Sequence, residues 1–152
     1  MTITVGAPVD GTVVGLAEVP DDVFRQEMVG AGTAVEPPTG ADRAVVLAPV
    51  AGTLSTLHPH AFVVGTADGT GVLVHVGIDT VDLRGAPFTL HAARGDVVER
   101  GAPVLTVDLA AVRAAGRAVT CPVVVLDAPA GSVRAPTGEP VRAGAELFVW
   151  AR

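Results

Sequence analysis

The chain has 152 residues and a formal net charge of −6, from 16 acidic and 10 basic side chains, and every basic one is arginine. That balance, without a basic stripe or an aromatic cluster, excludes a nucleic-acid partner, and the absence of lysine excludes lipoyl, biotinyl and Schiff-base carriers, which need a side-chain amine. Hydrophobic residues make up 49%, yet they fall in short runs broken by glycine or proline, far from the roughly 20 apolar residues of a spanning helix, so no membrane insertion is expected.

The length suits a single domain over residues 1–152. With 18 glycines, 12 prolines, many valines and 3% aromatics, the composition predicts an all-β fold of short strands and tight turns. The expected architecture is an antiparallel β-sandwich or barrel with one or two short helices. The opening Met1-Thr2-Ile3-Thr4-Val5-Gly6 has no signal or transit pattern, and the lone Cys121 allows no intrachain disulfide; both point to the cytoplasm.

In chain order, Ala7-Pro8-Val9-Asp10-Gly11-Thr12 returns as Ala48-Pro49-Val50-Ala51-Gly52-Thr53, an offset of 41. A short helix is expected from Pro20 to Met28, stopped by Gly30 and Gly32. Glu36 to Asp42 reads as an exposed loop that does not divide domains. Further on, Gly95 to Leu105 returns as Gly138 to Phe148, an offset of 43, in the pattern Gly-acid-x-Val-x-x-Gly-x-x-Val/Leu. Two such echoes indicate a duplicated supersecondary unit. A second short helix is expected from Leu109 to Gly116, with Asp108 as its N-cap.

Between the repeats lies the most informative stretch, His58 to Thr80, with three of the four histidines. Asp68-Gly69 favours a two-residue hairpin turn, which would set Phe62 opposite His75 and His60 opposite Gly77. Strand alternation would then place His60 and His75 on one face as diagonal neighbours; a three-residue loop would send them to opposite faces. Paired imidazoles suit phosphoryl transfer. One neutral ring is the nucleophile, the second donates a hydrogen bond to the incoming oxygens, and apolar neighbours protect the labile phosphohistidine. Backbone amides near Val76 to Asp79 are candidates to share the charge. An apolar rim of Phe62, Leu73 and Val76 is expected to receive partners, Val76 least so by strand parity.

The run Gly69-x-x-Val72-Leu73-Val74-His75-Val76-Gly77-Ile78-Asp79-Thr80-Val81 resembles the active-site signature of the glucose-type IIA components of the bacterial phosphoenolpyruvate-dependent sugar phosphotransferase system. The likeness extends to Ala7-Pro8-Val9-x-Gly11, Val19-Pro20-Asp21-x-Val23-Phe24, Val29-Gly30-x-Gly32, Ala48-Pro49-Val50-x-Gly52 and His60-Ala61. It implies a sandwich built from a duplicated hybrid motif, with His75 as phosphoryl acceptor and His60 as the ring that hydrogen-bonds the phosphate. The histidine-containing phosphocarrier protein would be the donor, and a cysteine on a IIB domain of a sugar permease the acceptor. Regulatory targets would be further partners, and the protein would work in the cytoplasm, visiting the membrane's inner face through the permease. Glucose and N-acetylglucosamine are the sugars expected at the permease.

By the same resemblance Asp79 would meet an arginine of the donor, and Thr80 would close the turn or support the site. This chain has Ala31 where many relatives carry an acid, and His58 where a threonine is common. His58 would orient His60 through a ring nitrogen or cover the rim. No metal or cofactor is required, although His60 and His75 are zinc-capable. The alternative is a zinc hydrolase of the same architecture using His58, His60 and His75. His91 reads as a surface residue and Cys121 as a buried small hydrophobe.

Overall fold

The computed structural model describes residues 2–152. Thirteen strands alternate with four short helical turns. The strands are β1 (Thr2–Gly6), β2 (Gly11–Val14), β3 (Gly30–Glu36), β4 (Arg43–Leu47), β5 (Gly52–His58), β6 (Ala61–Gly65), β7 (Gly71–His75), β8 (Phe88–Leu90), β9 (Val97–Val98), β10 (Pro103–Asp108), β11 (Cys121–Leu126), β12 (Pro140–Val141) and β13 (Glu146–Ala151). The α-helices are α1 (Asp22–Arg25) and α2 (Leu109–Ala114), and 3-10 turns cover Leu16–Glu18 and Thr80–Leu83. The strands form an eight-stranded sheet ordered β12-β2-β3-β11-β7-β6-β5-β9, a three-stranded sheet β4-β10-β8 and the pair β1-β13. Every pairing is antiparallel, as the composition led us to expect.

The duplication is written in the hydrogen bonds. Gly6 N–H donates to the Pro49 carbonyl at 2.8 Å and Leu47 N–H to that of Pro8 at 2.9 Å, donors and acceptors alike lying 41 residues apart. Ala7 N–H donates to the Ala145 carbonyl, and Ala48 N–H to that of Ala102, both at 2.8 Å. The pairing of β12 with β2 repeats that of β9 with β5, and β1-β13 repeats β4-β10. The two Ala-Pro-Val segments thus lie against each other about an approximate twofold axis.

Alternation in the central strands separates two apolar clusters. Val72 and Val74 of β7, Phe62 and Val64 of β6, and Val123 and Val125 of β11 point inward against Val5, Val46, Leu105 and Phe148. On the outer face Leu16, Val19, Phe24, Ala34, Ile78 and Val124 form a smaller cluster, with Leu73 packed against it. The helical turns near the N-terminus cover this outer face.

The helix expected from Pro20 to Met28 is shorter, a single turn. Asp21 caps it by accepting from the N–H groups of Val23 and Phe24. Glu27 adopts φ 54°, and Met28 N–H bonds the Val23 carbonyl while Glu27 N–H bonds that of Phe24. This is a Schellman termination, with glutamate in the place usually held by glycine, before the glycines of β3 are reached. The second helix keeps its expected N-cap, Asp108 accepting from Ala111 N–H at 2.9 Å.

Phe62 is 0% exposed and Val76 is 1% exposed, which corrects their assignment to a partner-binding rim: both belong to the core. Truncating Phe62→Ala is expected to destabilise the fold by about 3–5 kcal/mol, the loss of a buried ring plus the cavity it leaves. A shift of the urea midpoint smaller than that of a typical surface substitution would contradict this placement.

Candidate functional site

The β6-β7 hairpin closes differently from the expected two-residue turn. Ala61 pairs with His75 and Phe62 with Val74, a register one residue away from that expected. Thr66 N–H donates to the Thr70 carbonyl at 2.8 Å, so Ala67-Asp68-Gly69 is a three-residue loop with Gly69 at φ 89°, the residue that must be left-handed in such loops. Asp68 caps the loop, accepting from the Thr66 hydroxyl and the Thr70 N–H.

On strand parity alone this loop would part His60 from His75. The two rings nevertheless meet, with centroids 5.3 Å apart at 71°, because His60 is outside both ladders. His58 pairs with Ala61, which leaves Pro59 and His60 as the two-residue turn between β5 and β6. The His60 carbonyl accepts from Val76 N–H at 2.7 Å, fixing the turn against the end of β7 while its ring is free of strand alternation.

His75, partly buried at the end of β7, places its Nδ1 2.6 Å from the Gly77 carbonyl. A carbonyl only accepts, so Nδ1 carries the proton and Nε2 of the neutral ring keeps its lone pair. The Phe24 ring meets His75 edge-on at 5.2 Å, removing water from one side. Burial lowers the pKa of His75, against the opposing pull of the Gly77 bond and the Asp21 and Asp79 charges. Burial also lowers that of His60, helped by His75 and His58. Both rings therefore favour the neutral form, the one able to act as a nucleophile.

Both folded values lie below the ordinary 6.5, so as pH falls the unfolded chain takes up protons first. The stability these rings contribute is complete above about pH 6.5 and drains away below it. The urea midpoint is expected to be flat from about pH 8 to about 6.5 and to fall towards about pH 5, and the H60Q/H75Q double variant should lose that fall. An equal fall in the double variant would place the acid sensitivity elsewhere. Asp68, held at about 2 by the Thr66 hydroxyl and Thr70, contributes its own loss only below its ordinary 3.8.

Of the other sequence candidates, Asp79 is exposed, at φ 58° where the chain enters the Thr80–Leu83 turn. Thr80 is 0% exposed, its hydroxyl donating to the Val76 carbonyl at 2.7 Å, so it closes the turn and offers nothing to a ligand. Two of the amides proposed to share charge are already engaged, Val76 N–H with His60 and Ile78 N–H with the Ala118 carbonyl. His58 is exposed and lies in a stacked arrangement with His60, ring centroids 5.7 Å apart at 23°. Ala31 is 0% exposed and presents no group to a partner. Among the described residues no three His, Cys, Asp or Glu side chains converge as a metal site, so the His58/His60/His75 zinc centre lacks its ligand geometry. His91 is exposed, with Nε2 at 2.6 Å from the Thr106 hydroxyl. Cys121 is buried and its thiol is pushed up to about 12 by burial.

The sequence reading missed the Phe24 ring on His75, the Gly77 carbonyl that sets its tautomer and the charge of Asp21. The first could have been suspected from Asp21 as a helix cap, which locates Phe24; the others depend on loop geometry.

Residues 3–130 match the family described as phosphoenolpyruvate-dependent sugar phosphotransferase system, EIIA 1. The chain is 48% identical over 126 residues to the PTS system glucose-specific EIICBA component of Streptococcus pneumoniae, an alignment covering 82% of this chain and 17% of that protein. It is 37% identical over 125 residues to the PTS system glucose-specific EIIA component of Oceanobacillus iheyensis, covering 81% of this chain and 73% of the relative. The solved structure of glucose permease IIA from Mycoplasma capricolum superposes with a TM-score of 0.85 at 33% identity, covering 98% of this chain and 96% of that one. The matched segment is thus a small part of the first relative and most of the second.

Proposed function

We propose, for a chain that belongs to the EIIA 1 family of the phosphoenolpyruvate-dependent sugar phosphotransferase system, that His75 Nε2 is the phosphoryl acceptor. The observation that carries this reading is the Nδ1 contact with the Gly77 carbonyl, which leaves Nε2 as the nucleophilic atom, beside a second imidazole at 5.3 Å. The phosphoryl group would come from the phosphohistidine of the histidine-containing phosphocarrier protein. The Nε2–P bond forms as the donor's N–P bond breaks in line, and the donor imidazole departs with the electron pair. His60 donates a hydrogen bond to a phosphoryl oxygen. The group then passes to a cysteine thiolate of a IIB domain, and the sugar is chosen by the permease rather than here.

The partner-facing surface includes exposed Asp79 for a donor arginine and partly buried Leu73. With Phe62 and Val76 in the core, the apolar contribution falls to Val23, beside Phe24 and 41% exposed, and Val81, beside Thr80 and 56% exposed. Among the described residues no helix is long and apolar enough to cross a membrane. In the proposed relay the protein works in the cytoplasm and reaches the membrane through its permease.

The test is incubation with labelled phosphoenolpyruvate and the two general proteins of the system. Acid-labile label on one histidine, with the phosphorus on Nε2 by NMR, is the expected result. No label, or a linkage through Nδ1, would overturn the reading.

A further inference from the structure

The Val76–Leu83 segment carries both the Gly77 carbonyl that sets the tautomer of His75 and Asp79; within it the Thr80 hydroxyl bonds the Val76 carbonyl and Asp82 N–H bonds that of Asp79. Further support comes from another part of the chain. Helix α2 ends in a Schellman motif: Gly116 lies at φ 78°, its N–H bonds the Arg113 carbonyl, and Arg117 N–H bonds that of Val112. This termination turns Arg117 back towards the segment after β7. Arg117 Nε donates to the Asp79 carbonyl at 3.3 Å, and its terminal nitrogen sits 3.6 Å from the Asp82 carboxylate. A second bond to the Ala115 carbonyl at 3.2 Å steadies the guanidinium.

The next residue continues the support, the Ala118 carbonyl accepting from Ile78 N–H at 3.0 Å. The fit is close, since a Cβ placed on Gly77 would be 2.9 Å from the Ala118 oxygen and 2.6 Å from Thr80 Cγ2. Residues 77–82 are thus caught between the end of α2 and β7. A planar guanidinium can engage a carbonyl and a carboxylate together, which an ammonium does less well.

We propose that Arg117 is a positioning residue for phosphoryl transfer, its guanidinium clamping the Asp79 carbonyl and Asp82 so that the Gly77 carbonyl holds His75 with Nε2 free and the Asp79 carboxylate faces outward. The inference rests on His75 being the acceptor. Arg117 touches no reacting atom. It acts through the backbone of the segment, and a small displacement there misdirects the attacking nitrogen.

The test reads the His75 ring before any donor is present. Long-range nitrogen–proton NMR of the 15N-labelled, unphosphorylated protein is expected to show a single Nδ1–H tautomer in wild type and a mixture of tautomers in Arg117→Gln. Acceptance of label should slow about tenfold in that variant, with Arg117→Lys recovering part of both readouts. Asp82→Asn, a milder change, covers the case in which Arg117→Gln does not fold, and is expected to shift the tautomer mixture in the same direction. Wild-type tautomer and rate in Arg117→Gln, or in Arg117→Lys and Asp82→Asn together, would overturn the proposal. Because the tautomer is measured without a donor, failure of wild type to take label would count against the phosphocarrier reading and leave the positioning result standing.

Discussion

His75→Gln is expected to take no label above background from phosphoenolpyruvate and the two general proteins, while keeping its fold. Glutamine can still donate from its amide to the Gly77 carbonyl, the bond that His75 Nδ1 makes at 2.6 Å, so the end of β7 retains a polar anchor. What it lacks is the ring nitrogen lone pair, since an amide nitrogen is not a nucleophile at neutral pH. No neighbouring group replaces it by geometry: His60 is set in a turn against His75, and Cys121 is buried with its thiol raised to about 12. Normal labelling of His75→Gln would move the acceptor elsewhere and end the mechanism in its present form.

His60→Gln should divide the reaction into its two halves. In the accepting step both the attacking and the leaving groups are imidazoles, and a glutamine N–H can still bond a phosphoryl oxygen. Labelling should therefore persist. In the onward step the nucleophile is an anionic thiolate approaching an already anionic phosphoryl group. There the ring must hold a proton and its positive charge, which a neutral amide cannot do. Burial, with His75 and His58, lowers the pKa of His60 in the unphosphorylated protein; a phosphoryl group on His75 would add a negative charge that opposes this lowering and favours the protonated ring. Onward transfer to a IIB domain is expected to fall by about 10²–10³-fold, the usual worth of one well-placed charge donor. Equal loss in both halves would mean that His60 shapes the site as a whole, and no loss in either would remove it from the mechanism.

The displaced partner rim shows how one residue of register governs such assignments. A two-residue turn at Asp68-Gly69 would have put Phe62 across from His75 on the outer face. The three-residue loop pairs it with Val74 and turns its ring into the core, since side-chain direction reverses with each residue along a strand. The same shift should have separated the histidines, and what reunites them is the tight turn at Pro59 and His60. The pairing was thus expected for one geometric reason and is realised through another.

The sequence by itself determined the all-β class, the duplicated unit and the Asp108 cap, and it singled out His60 and His75 as the candidate pair. Each depends on local chemistry or on repetition: glycine and valine content, offsets of 41 and 43, and a run of residue types around His75 specific enough to resemble one family. Tertiary structure alone decided the hairpin register, the inward turn of Phe62 and Val76, the stacking of His58 on His60 and the burial of Thr80. It also decided the tautomer of His75, which depends on a carbonyl two residues away in a loop held by Arg117 from the far end of α2. Residue type limits what a side chain can do, but direction, burial and the nearest acceptor arise from contacts between segments distant in sequence, and these form only when the sheets close on one another.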